Sequence, residues 1–280
     1  MKKILFLLLI FSSTIFSQGY TQTDVDICNS KFEFAAEEEL QNEPIGDIIV
    51  AIGKSFLGTD YEAFTLEKGN DEALIVHLTG LDCYTFFESS LALARAVKMG
   101  NPDFEAYKTE LQKIRYRKGE MNKYPSRLHY ATDWLYENDK AGIVKNITEE
   151  IDGVPYTDSV YFMSANKDEY AQLKNNDEFL NEITKIEVEI NNRDNYFIPQ
   201  NEIEEVEGKI KNGDIILITS NIDGLDIAHT GIAIEKDGRI HFMHAPIVGQ
   251  KVQITKEPLS VYVQKNKAQS GIMVARPSKP

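Results

Sequence analysis

One cysteine and a cluster of histidines hold the reactive groups of this chain. Cys83 lies in Thr79–Glu88, TGLDCYTFFE. The apolar run Ala73–Leu78 reads as a strand that Gly80 breaks, and Asp82-Cys83 then opens helical spacing through Phe86, Phe87, Leu91, Ala94 and Val97. That order predicts Cys83 at a helix N-terminus, where unpaired N–H groups and the helix dipole favour the nucleophilic thiolate. Thiol pKa values in such settings fall to roughly 3.5–7.5. A lone cysteine is as readily a small buried hydrophobe, so a nucleophile here needs a histidine elsewhere in the chain.

The chain has five histidines: His77, His129, His229, His241 and His244. Three fall within DIAHTGIAIEKDGRIHFMHAP. A histidine on one strand paired with another on its neighbour suits a cysteine enzyme, one imidazole taking the thiol proton and the second fixing its tautomer. Taken singly, each histidine reads as a surface or satisfied core position, and His77 stays in that class. His241 and His244, joined by Asp226 or His229, offer donors for zinc. Positions three apart on a strand point to opposite faces, which argues against joint chelation, and no metal or cofactor is expected.

These residues need positioning elements. Pro44 starts a helical pattern through Ile48, Ile49 and Ile52, and Gly58-Thr59-Asp60-Tyr61 is turn chemistry. Gly100-Asn101-Pro102 ends the cysteine helix, and a second helix runs through Phe104, Tyr107, Leu111 and Ile114. Lys118–Tyr130 reads as a loop; His129 opens a helix through Trp134 to Lys140, with Gly142 as its C-cap. Val160–Met163 reads as a strand, Asp168–Leu180 and Ile183–Ile190 as helical, and Tyr196–Pro199 as a loop. From Ile210 the period changes to two. Ile215–Thr219, His229–Glu235 and Arg239–Ala245 read as strands, with Lys236-Asp237-Gly238 a hairpin turn; Lys251–Thr255 and Ile272–Ala275 follow. Helices followed by an antiparallel meander make an α+β pattern.

Lys2-Lys3 and the apolar run Ile4–Phe11, followed by small polar residues up to Ser17, read as a secretory signal over residues 1–17. No later run is long enough to span a membrane. Cys28 lacks the apolar approach of a lipid-attachment cysteine. The net charge of −14, with no basic cluster, argues against nucleic acid and against an anionic membrane surface as partners. Cys28 is the only other cysteine; a bridge to it would abolish the nucleophile, and a chain of 280 residues needs no such staple, so Cys28 reads as structural.

The order GTDY, GLDCYTFFE, GDIILI, LDIAHTGIAI and HFMHAP resembles the papain-like, NlpC-type cell-wall cysteine hydrolases. Within that superfamily the chain is most similar to the N-acetylmuramoyl-L-alanine amidase-like family, whose longer signatures stand here as YPSRLHYATDW, VYFMS, NGDIILITSNIDGLDIAHTGIA and GIMVARP, over about residues 43–277. The resemblance implies Cys83 as nucleophile, His229 as general base and His244 as the orienting group, with His241 as the substitute if the hairpin register differs. It implies an oxyanion held by the Cys83 N–H, Tyr61 and Asp82 beside the substrate, and Arg127, His129, Asp133 and Trp134 on the substrate wall, where Trp134 with Tyr130 equally suits core packing. Asp60 stands where the family usually has proline, and Tyr84 where a smaller or branched residue is usual.

The resulting expectation is a single α+β domain over residues 18–280. It has a papain-like (NlpC-type) core with an antiparallel sheet, an N-terminal nucleophile helix and a helical insertion around residues 100–142. The protein is read as an exported, periplasmic or secreted, monomeric cysteine amidase of peptidoglycan or muropeptide, cutting the N-acetylmuramoyl-L-alanine bond. A γ-D-glutamyl endopeptidase, an acyl transferase and a non-catalytic peptide- or wall-binding module are the alternatives.

Overall fold

The computed structural model describes residues 19–69, 71–100 and 102–280; the signal segment read over residues 1–17 lies outside them. Helix α3 (Cys83–Met99) is the central element, buried along nearly its whole length from Thr85 to Val97. Around it pack α1 (Gln22–Glu37), α2 (Ile45–Ser55) and α4 (Phe104–Arg115). Pro44 is the N-cap of α2, whose Ile48, Ile49 and Ile52 are fully buried. Gly100 closes α3 at φ +90°, a conformation that glycine adopts without a Cβ clash. Helix α5 (Ala131–Lys140) follows the loop that carries Arg127 and His129.

The other layer is an antiparallel sheet in the order β2-β3-β8-β4-β5-β6-β7, with β1 also paired to β8. Its strands are β1 (Val144–Asn146), β2 (Val154–Pro155), β3 (Tyr196–Pro199), β4 (Ile215–Ser220), β5 (Ile227–Lys236), β6 (Arg239–His244), β7 (Gln253–Ile254) and β8 (Gln269–Pro277). The β5–β6 hairpin turns through Asp237 and Gly238, both at positive φ, as a tight two-residue turn requires. Alternation then sorts the side chains. Leu217, Ile232, Ile234 and Met243 face the α3 layer, while Ile216, Ala233, Ile240 and Phe242 face a second core closed by the helix Leu259–Gln264. The result is a mixed α+β architecture.

Four stretches depart from expectation. Ala73–Leu78 joins no sheet, because its backbone is held one group at a time: Val76 N–H by the Gly19 carbonyl, Leu78 N–H by the buried Asp24 carboxylate, and the Ile75 carbonyl by Arg115. Val160 makes only an isolated bridge to Gly224, and Phe162–Ala165 forms the short helix α6. The helical pattern from Asp168 becomes regular only at Asp177, in α7 (Asp177–Asn191), where Asn176 caps the first turn. Tyr196–Pro199 is a strand between β2 and β8, not a loop. Helix α1, unforeseen, begins with a Thr21–Asp24 capping box and buries Cys28, whose thiol burial pushes up to about 12. Both cysteines are free.

Candidate active site

Asp82 is the N-cap of α3: its carboxylate accepts the Thr85 N–H at 2.7 Å, and the Thr85 hydroxyl accepts the Asp82 N–H at 3.0 Å. Cys83 is therefore the first helical residue, half-buried. Its thiol is not lowered as the helix terminus alone would imply. Burial first, and the Asp82 charge second, push it up to about 11, with Thr230 and the residue's own N–H acting the other way. At neutral pH the resting group is a thiol.

His229 and His244 meet across β5 and β6, His229 Nε2 lying 2.7 Å from His244 Nδ1. Phe242 packs against both rings, at 5.6 and 4.7 Å between centroids. Gly231 allows this approach, since a Cβ there would lie 2.5 Å from the Met243 carbonyl oxygen and 2.6 Å from the Phe242 ring. Burial holds His229 down to about 4, and burial with the neighbouring His229 holds His244 down to about 3. Both imidazoles are neutral at pH 7. If His229 Nε2–H donates to His244 Nδ1, His229 Nδ1 is left with a free lone pair. His241 is on the opposite face, with Nδ1 3.0 Å from the Thr255 carbonyl oxygen, as the strand period requires of a residue three positions away.

Two further residues link these groups. Thr230, next to His229 on β5, opposes the rise in the Cys83 pKa through its hydroxyl and N–H. Tyr262 packs against His244 with ring centroids 5.2 Å apart, and burial, followed by the Cys83 charge, raises its pKa. Sequence reasoning passed over both, Thr230 because its neighbours supply the obvious signal and Tyr262 because its segment carries no motif.

Tyr61 is delivered by backbone bonds from both sides: Tyr61 N–H donates to the Gln250 carbonyl at 2.8 Å, and Leu81 N–H to the Asp60 carbonyl at 3.0 Å. The turn is thus tied to the run entering α3 and to the run leaving β6. Lys251 binds the Asp60 carboxylate at 2.8 Å and so steadies this turn without a proline. Burial first, then the Cys83 and Asp82 charges, raise the Tyr61 pKa.

Tyr84 walls a small cleft of about 110 Å³ together with Glu67, Glu88, Arg127 and His129. Arg127 is fixed there by the Glu67 carboxylate at 2.7 Å and the Leu66 carbonyl at 3.1 Å. His129 Nε2 is 2.8 Å from the Tyr124 carbonyl oxygen, and burial with the Arg127 charge lowers its pKa to about 3. Asp133 and Trp134 lie behind this wall and do not reach it. Asp133 is buried and paired with Arg117 and Arg193; Trp134 is buried edge-on to Phe87 at 4.9 Å.

The wall segment is anchored to β5 by Asp226, another residue the sequence reading used only as a metal option. Its buried carboxylate accepts the Thr132 N–H at 2.8 Å, the Thr132 hydroxyl at 2.7 Å and the Ile227 N–H at 2.7 Å. Asp226→Ala leaves these donors unpaired and is expected to cost about 1–3 kcal/mol in urea unfolding, with a raised KM. Unchanged stability and KM would refute this anchoring.

The three depressed imidazoles also set an acid limit. The unfolded chain takes up these protons near pH 6.5, whereas the folded protein resists until about 4 at His229 and about 3 at His129 and His244. Within that window the unfolded state holds more protons, so stability falls as pH falls, by at most about 1.4 kcal/mol per pH unit for each imidazole. A melting temperature constant from neutral pH down to about 4 would contradict this.

Residues 51–272 match the AmiA-like family model, described as N-acetylmuramoyl-L-alanine amidase-like. The crystal structure of an N-acetylmuramoyl-L-alanine amidase from Bacteroides uniformis is 34% identical, with a TM-score of 0.80 over 84% of this chain and 99% of that one. A Bacteroides fragilis protein provisionally described as a xylanase is 35% identical, with a TM-score of 0.76 over 80% of this chain and 98% of its own. A Legionella pneumophila protein at 22% identity shares the fold, with a TM-score of 0.66 over 93% and 98% of the two chains. No curated protein matches the chain.

Proposed function

We propose that this chain, which belongs to the AmiA-like, N-acetylmuramoyl-L-alanine amidase-like family, works through the Cys83 thiol. It is an amidase acting on peptidoglycan fragments. The observation that carries the mechanism is the His229–His244 pair at 2.7 Å, both rings neutral, on strands that pack against α3, the helix that begins at Cys83.

His229 Nδ1 takes the Cys83 proton while His244 fixes the ring through Nε2. The sulfur then bonds to the amide carbon. The negative charge passes to the carbonyl oxygen, stabilised by the Cys83 backbone N–H, one of the first helical N–H groups that have no intrahelical acceptor. As the C–N bond breaks, His229 returns the proton to the leaving amine. Water, losing its proton to His229, opens the thioester and frees the carboxylate and the thiol.

The bond assigned is that between the lactyl carbonyl of muramic acid and L-alanine. Tyr61 and Asp82 stand on one side of the nucleophile, and Tyr84, Arg127 and His129 form the wall that receives substrate. The core is read as papain-like and NlpC-type, in one domain over residues 18–280, exported and monomeric. Among the described residues no helix is long and apolar enough to cross a membrane.

Labelling the amines newly exposed in a digested muropeptide tests the bond. Label on L-alanine supports the amidase assignment. Label on the residue that follows D-glutamate would replace it with an endopeptidase.

A further inference from the structure

Along β5, Ile232 and Ile234 pack into the core on the α3 side, and Thr230 shares their face. Valine has the same shape and would suit an apolar face without a polar atom. The position instead carries a threonine that is 1% exposed and whose Oγ1 has no hydrogen-bond partner among the described residues. A buried polar atom left without a partner is costly and calls for an explanation. Helix α3, whose first residue is Cys83, packs on β5, and the hydroxyl and N–H of Thr230 both act against the effects of burial and Asp82 on the Cys83 thiol.

We infer that Thr230 is a catalytic residue of the amidase, its hydroxyl donating a hydrogen bond to the Cys83 sulfur as the thiolate forms. The inference rests on the reading of Cys83 as nucleophile. A thiol is a weak acceptor and leaves the hydroxyl under-used at rest; a thiolate is a strong one and engages it fully. The branched Thr230 side chain is stiff at χ1, which keeps the donor aimed. The proton balance is simple: Cys83 loses its proton to His229, and Thr230 keeps its own. When the sulfur bonds to the amide carbon the charge moves to the carbonyl oxygen, and the bond from Thr230 relaxes.

The size of the effect follows from two opposed trends. Lowering the thiol pKa by about one gives about tenfold more thiolate at neutral pH, while a Brønsted coefficient of about 0.4–0.5 makes each thiolate about threefold less reactive. The net gain is about threefold.

The test compares wild type, Thr230→Val and Thr230→Ser by two readouts. One is the rate of iodoacetamide alkylation of Cys83, followed by peptide mass spectrometry from mildly acidic to mildly alkaline pH. The other is kcat and KM on a muropeptide. Thr230→Val is expected to alkylate about threefold more slowly at neutral pH and to lose kcat in parallel with KM unchanged, and Thr230→Ser to restore both. Thr230→Ala replaces the valine variant if that one fails to fold. Coincident alkylation profiles for wild type and Val, or a Ser variant that behaves like Val, would overturn the inference. Failure of the nucleophile reading would look different: Cys83→Ala would still hydrolyse substrate, whatever the alkylation rates.

Discussion

His229→Ala is expected to lower kcat/KM by about 10⁴- to 10⁶-fold while the protein stays folded, because groups of a nucleophile–base unit act together. Without His229, nothing takes the proton from a thiol whose pKa burial and Asp82 have pushed up to about 11. The leaving amine also loses its proton source. His244→Ala should cost less, about 10²- to 10⁴-fold, since the base survives and only its tautomer and orientation are freed. The difference between the two variants matters more than either value. Equal losses would mean that His244 itself handles the proton, and retained activity in His229→Ala would remove the general-base assignment. The neutral resting pair further implies that activity persists well below pH 6 and fails only as pH falls toward about 4, where His229 becomes protonated.

The largest expected effect on stability lies beneath the site. Glu88 and Arg115 are both buried, joined by Arg115 Nε donating to Glu88 Oε2 at 2.7 Å, and Arg115 Nη1 also donates to the Ile75 carbonyl at 2.6 Å. The pair therefore ties α3 to α4 and to the extended run that leads into Cys83. Glu88→Ala leaves a guanidinium buried without its counter-charge, at a cost of about 3–5 kcal/mol. In a chain of this size that is a fall in melting temperature of roughly 10 °C. Replacing both partners with methionine should recover much of the loss, because the pair's own desolvation cost disappears with it. A Glu88→Ala variant within about 1 kcal/mol of wild type would contradict the role given to the pair.

How much of this was legible in the sequence depended on whether the deciding interaction was local. Helices α2 to α5 and strands β4 to β6 follow from spacing and from caps such as Pro44 and Gly100. The β5–β6 turn follows from Asp237-Gly238. His244 was favoured over His241 by the family resemblance, and a two-residue period accounts for the face on which each stands. The run Ala73–Leu78 was misread because its apolar residues look like a strand, while Asp24 and Arg115, far away in sequence, decide where its backbone bonds go. The pKa of Cys83 went the other way from expectation because burial of the thiol outweighs the helix terminus, and the Asp82 charge at the N-cap adds to it. Trp134, for which wall and core both stood open, and Asp133, expected on the wall, turn inward once α5 begins.

The measurement that tests the account most directly is mass spectrometry of muropeptide digests made with the wild-type protein and with Cys83→Ala. The account predicts that the wild type alone yields free stem peptide with an L-alanine amino terminus and a sugar that retains its lactyl carboxylate. Cleavage within the stem peptide, or equal digestion by the two proteins, would contradict it.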